Sequence, residues 1–125
     1  MSENSNLIYN VPGHTQAEDT LLSYPPAIQA QQKVLLEVIE HREAVNSQVK
    51  EIIAGFNAQI SNNPALTNAD KRATELKRMM AASAEYQEAY KEWTDLNHQV
   101  EIEQIDLEYL NNMFRAHVAI VGGHR

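Results

Sequence analysis

Two long stretches of the chain repeat their apolar residues every three and four positions, a spacing that predicts amphipathic helices. In steps of seven from Met79 come Tyr86, Trp93, Val100, Leu107, Phe114 and Val121; from Ala82 come Ala89, Leu96, Glu103, Leu110 and His117. These are the a and d positions of a heptad repeat, which align as one seam along a helix. Neither Gly nor Pro interrupts residues 65–121. At ~1.5 Å per residue, a helix over 68–121 would extend roughly 80 Å. A single apolar seam on so long a helix requires a partner.

The earlier stretch, residues 26–61, carries its own heptad. Ile28, Leu35, Arg42, Val49 and Phe56 hold one position, and Gln31, Val38, Val45, Ile52 and Gln59 hold the other. Ile39, Ile53 and Ile60 widen the stripe. Arg42 at a seam position costs stability and can set the register. Asn62-Asn63-Pro64 stops this helix, Thr67 serves as the next N-cap, and Asp70 suits the positive helix start. So short a connection makes the helices antiparallel neighbours. Gly122-Gly123 ends the second helix. The expected fold is all-α: a long antiparallel helical hairpin, a coiled coil, with helices over 26–61 and 68–121 and a turn over 62–67.

An N-terminal arm, residues 1–26, precedes the hairpin. Pro12-Gly13 marks a turn, and Thr15-Gln16-Ala17-Glu18 has capping-box spacing that predicts a short helix over 16–23. Pro25-Pro26 closes the arm, since proline suits a helix's first turn. Leu7, Ile8, Tyr9, Val11, Leu21, Leu22 and Tyr24 make the arm more apolar than a solvated tail.

The two helices are unequal. With the turn centred near Ala65, Ile28 falls opposite Ile102, and residues 103–121 extend past the first helix. This overhang holds Leu107, Leu110, Phe114, Val118 and Val121, an apolar strip that a monomer rarely exposes. Either the arm or another subunit covers it. These five residues are therefore the expected self-association surface of a homo-oligomer.

Composition narrows the function classes. A chain of 125 residues is one domain, and a net charge of −7 argues against a broad nucleic-acid-coating face. The absence of Cys excludes disulfides, thiolate metal sites and a cysteine nucleophile. Residues 1–10 lack the basic start and apolar core of a secretory signal, and no apolar run approaches the roughly 20 residues that cross a bilayer. A cytoplasmic protein without membrane contact is expected.

Candidate chemistry is sparse. Asp95 and His98 share a helix face, and Glu37, Glu40 and His41 lie on the other helix, but the Glu-x-x-His motif of di-iron bundles does not occur. Neither a Gly-rich phosphate loop nor a Ser/His/Asp set is present, so no enzyme, metal or cofactor is expected. His117 on the seam is either a pH switch or a histidine beside the negative helix end. Tyr86, Tyr90 and Trp93 could stack bases, but Tyr86 and Trp93 occupy seam positions and read as core. The one basic cluster is Lys71, Arg72, Lys77 and Arg78, beside the turn, while Glu101, Glu103, Asp106 and Glu108 make the far end acidic. Those four cations are the candidate contacts for the phosphates of single-stranded nucleic acid.

The run Asn68-Ala69-Asp70-Lys71-Arg72, then Leu76, Glu85-Tyr86-Gln87, and a heptad helix closing on Leu107-Glu108-Tyr109-Leu110-Asn111-Asn112-Met113-Phe114-Arg115-Ala116 resembles small coiled-coil proteins of tailed phages and prophages. Those are encoded among DNA recombination and replication genes. The resemblance covers about residues 68–116. It implies a non-enzymatic accessory role similar to UvsY-type mediators, with single-stranded DNA or a recombination protein as partner. The other reading of the residues is a scaffolding coiled coil with only protein partners.

Overall fold

The computed structural model describes residues 16–123. All three elements among them are helices: α1 (Gln16–Ser61), α2 (Ala69–Ala82) and α3 (Ala84–Gly123), with no strand among the described residues. The described residues divide into two compact units, one of residues 38–99 and one of residues 16–37 with 100–123. Of the expected arm, Leu7, Ile8, Tyr9, Val11, Pro12-Gly13 and Thr15 lie outside the described residues.

In residues 38–99, α1 meets α2 and the first part of α3, a packing consistent with a hairpin. Val49, Tyr86 and Ala89 form the buried centre, with Ile52, Ile53, Phe56, Met80 and Trp93 packed against it. Val45 and Ile60 are buried as well. Val45, Val49, Tyr86 and Ala89 are all heptad positions. Arg42, at its seam position, is half-buried and donates across to Asn97 Oδ1 at 3.4 Å while pairing with Glu43 at 3.2 Å. Its charge therefore has partners where the seam would otherwise strand it.

The expected single helix over 68–121 is two helices. It breaks at Ser83, whose backbone (φ −92°, ψ 112°) is extended. Ser83 Oγ accepts from the Tyr86 N–H at 3.0 Å, and its carbonyl accepts from the Gln87 N–H at 3.0 Å. Its own N–H donates to Met80 O at 3.4 Å, and Gln87 Nε2 donates to the same carbonyl at 2.9 Å. One residue thus closes α2 and caps α3, so few helix-end groups are left unsatisfied. Ala82, a seam position in an unbroken helix, is exposed as a result. The N-cap of α2 is Asn68 rather than Thr67: Asn68 Oδ1 accepts from the Lys71 N–H at 2.9 Å.

In the second unit, α1 starts at Gln16 and continues through Pro25-Pro26, where the sequence pattern placed a boundary. An interior proline loses a helical hydrogen bond and crowds the preceding turn, at a cost of about 3 kcal/mol. Packing offsets that cost. Leu21 and Tyr24 stand seven residues before Ile28 and Gln31, so the heptad keeps its phase across the prolines, and both are half-buried. The Tyr24 ring lies 6.1 Å from the Phe114 ring and 5.2 Å from the His117 ring. The prolines themselves point to solvent.

The register also differs from expectation. A turn centred near Ala65 sets Gln31 opposite Gln99, but Gln31 Nε2 donates to Glu103 Oε1 at 2.7 Å and to Glu103 O at 3.1 Å. The partner lies one helical turn further along α3. With that shift and the longer α1, the expected overhang is lined from within the chain. Val100 is buried, and Leu107, Leu110, Phe114 and Val121 are half-buried.

Candidate interaction surfaces

The four cations next to the turn lie on α2, and all four are exposed. Asn68 sets the helix start and so fixes where Lys71 and Arg72 leave the first turn. Arg72 Nη1 donates to Leu66 O at 3.2 Å. Arg78 grips Glu75 with two parallel bonds, Nε to Oε1 at 2.8 Å and Nη2 to Oε2 at 2.6 Å. These hydrogen bonds, reinforced by the charge attraction, hold the Glu75 carboxyl below its usual range and push Arg78 up. An open depression beside them is lined by Leu66, Asp70, Lys71, Thr74 and Glu75, two acids to one cation. Of the four, Arg78 is the one paired with a carboxylate, while Arg72 meets only a neutral carbonyl.

The aromatic cluster is a ladder at the core edge. Tyr86 stacks on Tyr90 with centroids 5.8 Å apart and planes at 22°, and Tyr90 meets Trp93 at 5.8 Å. Tyr86 is 7% exposed, and burial, with the neighbouring Tyr90, raises the pKa of its phenol. Trp93 packs on the Val49–Tyr86–Ala89 centre. Tyr90, at 46% exposed, is the member that presents its ring to solvent.

His41 and Asp95, two of the residues weighed for a metal, each have a side-chain partner elsewhere. His41 Nε2 lies 3.2 Å from Glu92 and Lys91 Nζ 3.0 Å from Asp95. Among the described residues no three or more His, Asp or Glu gather as a metal site. His117 Nδ1 faces Met113 O at 2.9 Å and the Tyr24 hydroxyl at 3.3 Å. Protonated there, it donates to the carbonyl; in the other tautomer, it accepts from Tyr24.

The five residues expected to mediate self-association have mixed fates. Phe114 packs on Tyr24, Leu107, Leu110 and Val121 are half-buried, and Val118 is 46% exposed. The residues left most open belong to a second apolar stripe that the count by sevens passes over. Ile102, Ile105, Tyr109, Met113, Ala116 and Ile120 fall within about 80° of arc on α3, roughly 130° from the seam. Ile105 is 63% exposed, Tyr109 62% and Ile120 54%. The signal was present as the same three-and-four spacing in a second phase. On α1, Leu22 and Leu36 are exposed too.

No described helix is long and apolar enough to cross a membrane. Compared with protein-family models, curated proteins and solved structures, the chain matches none.

Proposed function

We propose that this chain is a non-catalytic, oligomeric coiled-coil adaptor, a cytoplasmic accessory protein of phage-type DNA recombination or replication. The observation that carries the adaptor reading is the second stripe of α3. The heptad seam is occupied from within the chain, yet Ile105, Tyr109 and Ile120 remain more than half exposed along one line. A contiguous apolar line on a helix surface is the mark of a protein contact. Photo-crosslinking tests it. With p-benzoylphenylalanine in place of Tyr109, irradiation of cells making the protein should yield a covalent adduct that the same group in place of exposed Lys50 does not. Equal labelling at both positions, or at neither, would sink the adaptor reading.

The place in DNA metabolism rests on the resemblance of residues 68–116 and on the exposed ammonium groups of Lys71 and Lys77. The reading with protein partners alone is favoured by one contact, the bidentate Arg78–Glu75 pair, which occupies a cation otherwise available to phosphate. Titration of labelled single-stranded DNA at about 20 mM salt separates the two, because phosphate contacts are strongest at low salt. Binding that fades steeply as salt rises supports the DNA role; absence of binding at low salt leaves the scaffolding role.

A further inference from the structure

We infer that the second stripe of α3 is the contact between two copies of this chain, packed antiparallel about a two-fold axis that crosses the stripe at the level of Asn111, a residue on the other side of the helix. This rests on the adaptor reading and names the partner of its surface. A two-fold contact is made by one patch meeting itself, so the patch must read alike in both directions from its centre. This stripe does so at two of its pairs. About the level of residue 111, Ile102 stands opposite Ile120 and Tyr109 opposite the half-buried Met113, while Ile105 comes level with His117, one residue out of step with Ala116. Large apolar residues lie at both ends, and the aromatic meets a pliable thioether at the middle.

Charge chooses the direction. Glu108 and Arg115 leave α3 on the same flank of the stripe, about 20° apart around the helix. In an antiparallel pair that flank faces itself, and Glu108 of one copy comes level with Arg115 of the other. A parallel pair would turn that flank toward the opposite one, setting Glu108 across from Asp106, acid against acid. It would also align Glu101, Glu103, Asp106 and Glu108 with the same four acids of the second copy. In the antiparallel arrangement the two Glu101 residues are about 30 Å apart, well beyond the screening length of about 8 Å at physiological salt. Arg115 now holds Asn112 Oδ1 at 2.9 Å on the exposed surface, a bond it can trade for a carboxylate.

The full chain has no cysteine, so single cysteines report the register directly. Sedimentation of the wild type at tens of micromolar should show a dimer. A short bismaleimide should join Asn112→Cys to itself, and should join Ile102→Cys only to Ile120→Cys when the two variants are mixed. Ile102 and its own copy are about 27 Å apart in this arrangement. Ile105→Lys with Tyr109→Lys should weaken the dimer about thirtyfold or more, as loss of a central aromatic anchor does, with helicity by circular dichroism unchanged. Glu108→Arg and Arg115→Glu should each weaken it, and the two together should restore it. Self-joining of Ile102→Cys would establish the parallel pair and overturn the proposal. A monomeric wild type whose Tyr109 position still crosslinks a different protein would overturn it while leaving the adaptor reading intact. A monomer with no crosslink would end both.

Discussion

Tyr86 is the most informative position for testing how residues 38–99 hold together. It is 7% exposed and forms the buried centre with only Val49 and Ala89. Replacing a buried aromatic by Ala costs about 3–5 kcal/mol, part lost transfer energy and part cavity. A domain of this size has about 5–15 kcal/mol in total, so Tyr86→Ala removes a large share. Each kcal/mol is worth roughly 3–6 °C at this length, which places the melting point about 10–30 °C lower. Tyr86→Phe keeps the volume and isolates the phenol. Burial raises the phenol's pKa from its ordinary 10.0, because the folded state resists the phenolate. Stability from this group is thus full below pH about 10 and is lost as pH rises through the folded pKa, since the unfolded chain ionises first. Thermal melts by far-UV circular dichroism at neutral pH and above pH about 10 provide both measurements. If Tyr86→Ala melted within about 2 °C of the wild type, Tyr86 would not be a core residue. If Tyr86→Phe lost stability with alkali as steeply as the wild type, burial would not be the cause of its shift.

Other positions give simpler tests. Pro25→Ala with Pro26→Ala should raise the melting point, because exposed interior prolines cost about 3 kcal/mol and the heptad across them is already continuous; an unchanged melt would show that the helix carries no such cost. Ser83→Ala removes the acceptor of the Tyr86 N–H and should destabilise by about 1 kcal/mol in denaturant titration. Changing Lys71, Arg72, Lys77 and Arg78 all to Ser should abolish single-strand binding while sedimentation stays that of the wild type. In the parent, each phosphate contacted should add about −0.7 to the slope of log affinity against log salt, and a quadruple variant that still bound would place the contact elsewhere.

Local pattern was enough to determine that the chain is helical and which residues point inward. Val45, Val49, Tyr86, Ala89 and Val100 were legible as buried because helical periodicity is a property of neighbours in sequence. The turn near Asn63 and the α2 start near Asn68 were legible for the same reason, since stops and caps act over three or four residues. Three features were decided only by tertiary structure. The heptad continues through Pro25-Pro26 because Tyr24 packs on Phe114 and His117, a gain from residues some ninety positions away. Gln31 meets Glu103 and not Gln99 because register follows from packing along the whole seam, which a turn centre does not specify. The stripe of Ile102, Ile105, Tyr109 and Ile120 has the same spacing as a core face. What sets it apart is exposure, and exposure depends on where α1 lies, which periodicity within α3 does not contain.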